Sequence, residues 1–183
     1  MDKFYCFVLT MMIWSTGVHS ATCISNAIAS TPTASFIING DGTVMDSRTK
    51  LIWKRCPEGT SFNDNNTPAN TSDDGCIGTP YEILWQQALQ QVDVVNSSGF
   101  ANASDWRLPN IKEFASVIEL KCHHPAFNET LFPSMSGPNA YWTSSQDASD
   151  VSKVWILNTI YGSDSRAFKA SFLAGALLVR NEP

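Results

Sequence analysis

Short apolar runs alternate with polar turns through the first part of the chain. Phe36-Ile37-Ile38, Thr43-Val44-Met45 and Leu51-Ile52-Trp53 are separated by NGDG and DSRTK. Asn and Gly accept positive φ, so NGDG predicts a hairpin turn and the three runs predict consecutive strands. The period then changes. Tyr81, Trp85, Ala88, Val92 and Val95 recur at helical spacing, with Leu84 and Leu89 beside them and glutamines opposite. Thr79 as N-cap, Pro80 at the first helical position and Glu82 closing a capping box predict a helix from Thr79 to about NSSGF. A second helix is predicted from Asn110, with Glu113 closing its box. Its apolar side is Ile111, Phe114, Val117, Ile118 and Leu120, and it ends near Lys121-Cys122. Beyond it, YWTSS, KVWILNTIYG and FLAGALLVR predict antiparallel strands, with turns at SGPN, DASD and YGSDS. Strands, two helices and strands again give an α+β fold whose ends can meet in one sheet.

The first twenty residues fall outside this pattern. Lys3 precedes an apolar run from Phe4 to Trp14, and small residues follow up to Ser20. This reads as a secretory signal over residues 1–20, cut after Ser20, with one domain over residues 21–183. No later run is long enough to span a bilayer. The 183 residues carry a net charge of −5, and removing Asp2 with Lys3 leaves it unchanged. An acidic exported chain is poorly suited to nucleic acid. Export also makes sense of the cysteines. Cys6 leaves with the signal, and Cys23, Cys56, Cys76 and Cys122 remain as an even set for disulfides. Among their possible pairings, Cys56–Cys76 is favoured because the polar stretch between them needs a staple, and Cys23–Cys122 follows. No spacing fits a zinc ribbon or finger.

Little here suggests catalysis. There is no serine elbow, phosphate loop or His-Glu metal helix, and paired cysteines leave no thiolate. The chain is therefore expected not to be an enzyme and to need no cofactor, with calcium left open. NGDG lacks the acidic ladder of a calcium loop. His123 and His124 are adjacent, so their side chains are expected to diverge and hold no metal. Arg107, in DWRLPN, is expected to be a buried structural cation pairing with Asp105 or Glu113. Trp106, Trp142 and Trp155 lie in patterned segments and are expected in the core. Tyr141 and Tyr161 flank loops and are the candidates for stacking on a sugar.

Taken in order, NGDGTVMDSRTKLIWKRC, Trp85 with Ala88-Leu89, DWRLPNIKEF, PAFNETLFP, YWTSS and a final LVR closely resemble the bacterial Lcl C-terminal domain family, long classed as a domain of unknown function. The resemblance runs from about Thr22 to Arg180. It implies an exported, often surface-associated domain with a C-type-lectin-like fold of two helices, small antiparallel sheets and long loops. The family's namesake is an adhesin module that binds sulfated glycosaminoglycans and trimerises through a collagen-like stalk. No collagen-like repeat occurs here, and the acidic charge disfavours sulfated chains. The Glu-Pro-Asn and Trp-Asn-Asp triplets of calcium-dependent sugar binders are also missing. The expected role is non-catalytic recognition or adhesion, with an extracellular glycan or envelope protein as partner. The alternative is a structural or accessory part of the envelope, a pilus or a secretion apparatus.

Overall fold

In a computed structural model of the chain, the described residues are 20–67, 70, 73–133, 135 and 137–183. The expected signal therefore lies outside them, apart from Ser20. Thr22–Cys23 (β1) is followed by three strands, Phe36–Ile38 (β2), Thr43–Asp46 (β3) and Leu51–Lys54 (β4). β2 pairs with β3 and β3 with β4, both antiparallel, as NGDG and DSRTK predict. In the first turn the Asp41 carboxylate accepts hydrogen bonds from the Thr43 N–H at 3.1 Å and the Thr43 hydroxyl at 2.7 Å. The short strand Val179–Asn181 (β11) adds to the outer side of β4, giving the order β11-β4-β3-β2. Residues near both ends of the domain thus share one sheet.

The first helix is shorter than predicted. It spans Trp85–Ser98 (α1), with Leu84 as N-cap and the Gln87 carboxamide accepting the Leu84 N–H at 2.9 Å. Thr79-Pro80-Tyr81-Glu82 has the chemistry of a capping box but runs extended. The Tyr81 N–H bonds to the Glu58 carbonyl at 2.9 Å, and Ile83 exchanges two hydrogen bonds with Ala174. Strand-like partners from distant parts of the chain win over the local cap. Gly99, at φ 66°, terminates α1 in the left-handed conformation.

Asn110 caps the second helix as predicted. Its side chain accepts from the N–H groups of Lys112 and Glu113, and Glu113 reaches back to the Asn110 N–H at 2.8 Å. This helix spans only Ile111–Ala115 (α2). The chain then turns, because the Glu119 N–H is taken by the Ala126 carbonyl and the Ser116 carbonyl by Arg48. Val117 and Ile118 still reach the core, whereas Leu120 is 76 % exposed.

A three-stranded antiparallel sheet follows, with Lys153–Asn158 (β9) between Ala140–Gln146 (β8) and Ser163–Phe168 (β10). β10 was expected to begin as a turn. The run 172–180, expected as a strand, is one only from Val179; before it the Leu178 carbonyl accepts from Lys54, Gly175 bonds to Ala140 and Trp142 of β8, and the chain threads between two apolar clusters. Leu177 and Val179 enter one cluster with Trp53, Phe114, Phe127 and Tyr141. Ala174, Ala176 and Leu178 enter the other with Trp106, Trp142 and α1. The small residues follow from this threading: a Cβ on Gly175 would lie 2.7 Å from the Tyr141 ring.

Two short ladders complete the architecture. β1 pairs with Cys122–His123 (β7), and Thr60–Asn63 (β5) pairs with Gly75–Gly78 (β6) across the polar stretch read from sequence only as needing a staple. Disulfides join Cys23 to Cys122 and Cys56 to Cys76, the favoured pairing. The architecture is α+β, with small antiparallel sheets, two helices and two disulfides among the described residues. None of these helices is long and apolar enough to cross a membrane.

The N-terminal segment is fastened by a buried carboxylate. Glu119 accepts hydrogen bonds from the N–H and hydroxyl groups of Ser30 and Thr31 and from the Lys121 N–H. Burial acts to raise its pKa, but these donors outweigh it and hold the carboxyl below its ordinary value. A depressed carboxylate contributes stability above its unfolded pKa, about 4.3, and that contribution is lost as pH falls through the lower folded value. Below about pH 4 the amide protection of Ser30 and Thr31, followed by NMR, is therefore expected to fall. Glu119→Gln should lower that protection at neutral pH and remove its acid dependence. An unchanged acid profile in Glu119→Gln would assign the tether to other groups.

Candidate functional site

Two basic residues at the end of β4 organise the surface. Arg55 is fully buried. Its guanidinium donates to the Leu131 carbonyl at 3.0 Å and the Thr130 carbonyl at 2.8 Å, and pairs with the Asp74 carboxylate. Lys54 is also buried, with Nζ 2.5 Å from Glu58 Oε1; Glu58 in turn accepts from Gln91 of α1. Each cation lies against a phenyl ring. Lys54 Nζ is 4.5 Å from the centroid of Phe100, and the Arg55 guanidinium carbon is 5.2 Å from that of Phe62.

Between these half-buried rings, under the NGDG turn, opens a cleft of about 480 Å³. Asp41, Lys54, Thr60, Ser61, Asn63 and Asp64 supply its polar lining. β5 and β6 hold the Phe62 side in register, with Phe62 opposite Cys76, and Cys76 is bonded to Cys56, which lines the cleft. Gly42 sits at φ 82° with its α-carbon so near that an added Cβ would lie 2.9 Å from the Phe62 Cβ. A side chain at Gly42 would displace the ring. The arrangement offers two carboxylates, an amide, two hydroxyls and two ring surfaces. Those groups can exchange hydrogen bonds with a hydroxyl-rich molecule while the rings cover its apolar face.

The residues singled out from sequence are distributed differently. Tyr141 is fully buried in the core, and its hydroxyl has no hydrogen-bond partner among the described residues. Burial, with a smaller contribution from the Glu82 charge, raises its pKa. Tyr141 therefore cannot stack on a ligand. Tyr161 is 67 % exposed beside His124, with ring centroids 5.1 Å apart, but it does not line the cleft. Trp106 and Trp142 are buried, and their indole N–H groups donate to the carbonyls of Phe100 and Ile83. Trp155, expected in the core, is half-buried under Arg166 at the β9–β10 surface.

Arg107 also departs from expectation. It makes a two-armed pair with Glu113, at 2.7 and 2.8 Å, and a third bond to Asn181, yet its side chain is 38 % exposed. Burial acts to raise the Glu113 pKa, but the Arg107 and Asn110 hydrogen bonds and the Arg107 charge prevail and lower it. Asp105 pairs with Arg180 at 2.7 Å instead. The deeply locked guanidinium is that of Arg55. His123 and His124 do not diverge as adjacent residues in an extended chain would. His124 has φ 56°, and the two Nδ1 atoms approach to 2.9 Å. No group of three or more His, Cys, Asp or Glu side chains that could hold a metal ion occurs among the described residues.

The profile of the Lcl C-terminal domain family matches residues 42–180. The chain belongs to this family. The match to the Lcl C-terminal domain begins inside the first hairpin turn and ends in β11, so it takes in Arg55, Arg107 with Glu113, and most of the cleft lining. Cys23 and the segment fastened by Glu119 lie before the matched span of the Lcl C-terminal domain, although Cys122 and Glu119 lie within it. Comparison with curated proteins gives no match.

Proposed function

We propose that this protein is a non-catalytic recognition domain of C-type-lectin-like architecture that works outside the cytoplasm, binding a saccharide in the cleft beneath the NGDG turn. The observation that carries this reading is the pairing of two cation-backed rings, Phe62 and Phe100, with Asp41, Asn63, Asp64 and the hydroxyls of Thr60 and Ser61 in one cleft. Carboxylates, amides and hydroxyls beside a ring surface match the alternating polar edge and apolar face of a sugar. Two carboxylates at the rim favour neutral or amine-bearing sugars over sulfated ones, in line with the net charge of −5. All four described cysteines are oxidised, which leaves no thiol for nucleophilic catalysis and suits an oxidising compartment.

The test is a glycan array, followed by calorimetry on the best ligand, using oxidised protein that starts at Ala21, with and without calcium. Phe62→Ala and Asp64→Asn are each expected to weaken binding about tenfold, equivalent to roughly 1.4 kcal/mol. Their melting temperatures should stay close to that of the parent. Binding that survives both substitutions would place the contact elsewhere, and a protein that binds no glycan in either condition would remove the saccharide reading.

A further inference from the structure

The bond expected to be cut in export, Ser20–Ala21, stands at a defined place in the fold. The Ala21 nitrogen donates a hydrogen bond to Glu129 Oε2 at 2.9 Å, across a sequence separation of 108. Immediately beyond it, Thr22–Cys23 pairs with Cys122–His123, and the Cys23–Cys122 disulfide fixes that ladder. Ala21 is thus held against Glu129 by a covalent cross-link two residues away, while Ser20 is exposed. Ala21 and Glu129 lie on the same cavity of about 400 Å³, which leaves room for a nitrogen bearing additional hydrogens. The other charged groups on that cavity are Glu119 and Lys121. Glu119 is already occupied by Ser30, Thr31 and the Lys121 N–H, whereas Glu129 has no other hydrogen-bond partner among the described residues.

We propose that Glu129 is the receptor for the ammonium group that proteolytic processing creates at Ala21, so that cleavage turns a neutral contact into an ion pair and fastens the start of the domain. Hydrolysis places the hydroxyl of water on the Ser20 carbonyl carbon and its hydrogen on the Ala21 nitrogen. The new acid at Ser20 then gives up its proton, and the Ala21 amine takes one up. An α-amine has a pKa of about 8, so it is charged at neutral pH. Before cleavage the same nitrogen is an amide with one hydrogen and no charge, and the Glu129 carboxylate makes no ion pair among the described residues. The proposal rests on the export reading above.

Its test uses the oxidised chain beginning at Ala21, with the amine free or acetylated, each in the parent and in Glu129→Gln. Acetylation is expected to lower the melting temperature of the parent by about 2–4 °C and to leave that of Glu129→Gln unchanged. The free Ala21 amine should also react with an amine-selective reagent about threefold more slowly in the parent than in Glu129→Gln, because the pair holds it protonated. N-terminal sequencing of the exported protein should read Ala-Thr-Cys. A start elsewhere would overturn the processing step itself. An Ala21 start combined with equal acetylation effects in both proteins would overturn the role of Glu129 and leave the export reading standing.

Discussion

Alanine in place of Arg55 is expected to lower the unfolding free energy by about 3–5 kcal/mol. The guanidinium is fully buried, and its Nε and both Nη atoms have partners: the carbonyls of Thr130 and Leu131 and the Asp74 carboxylate. Truncation would strand a buried carboxylate and the buried Leu131 carbonyl at once and remove a donor from the partly buried Thr130 carbonyl, and each stranded group costs its desolvation. Arg107→Ala serves as the control. It also breaks a two-armed carboxylate pair, but at a site where the side chain is 38 % exposed, so water can replace the lost donors. Its expected cost is about 1 kcal/mol. Chemical denaturation of the three proteins checks both values. Equal losses for the two variants would show that burial does not decide the outcome. A melting temperature lowered by roughly 10 °C is the corresponding thermal result for Arg55→Ala.

The second large effect concerns the cross-links. Replacing Cys23 and Cys122 by serine opens a loop of 99 residues, for which chain entropy gives about 4–5 kcal/mol. The same change at Cys56 and Cys76 opens a loop of 20 residues, for which about 3 kcal/mol is expected. The functional consequences should run the other way. The shorter loop carries β5, β6 and the Phe62 wall of the cleft, so its loss should weaken ligand binding. The longer one fastens a segment that does not line the cleft and should leave binding intact. Denaturant midpoints and ligand titrations of the two double variants test this crossing. A Cys56/Cys76 variant that is the less stable yet binds normally would contradict both halves.

What could be read in advance depended on how local its cause was. The NGDG hairpin, the DSRTK turn between β3 and β4 and the Asn110–Glu113 box arise from residues within a few positions of one another, and they appear as predicted. The start of α1 does not. Thr79 to Glu82 has capping chemistry, but Glu58 and Ala174 claim the backbone first, and neither is visible from the segment itself. β10 escaped notice because an edge strand carries Ser163, Asp164 and Ser165 on open faces and lacks an apolar rhythm. Arg55, which the sequence reading passed over in favour of Arg107, presents the same difficulty. What buries Arg55 is the carbonyl pair at Thr130 and Leu131, 75 and 76 positions away. The cleft was hidden in a stretch judged only to need a staple. Thr60-Ser61-Phe62 and Gly75-Cys76-Ile77, one shortly after Cys56 and the other containing Cys76, were the signal that a small hairpin stood there.

The place of β11 bears on how such a chain is made. Its residues pair with β4, laid down about 130 positions earlier, and the Val179 backbone also bonds to Arg107. A polypeptide delivered from its amino end can form the first hairpin at once, but the seam between the two apolar clusters stays open until residues near 180 arrive. On the export reading proposed above, threading through a narrow channel would therefore meet an unclosed chain for nearly the whole passage. Folding would finish as one late step on the far side, where the sulfurs can also be joined.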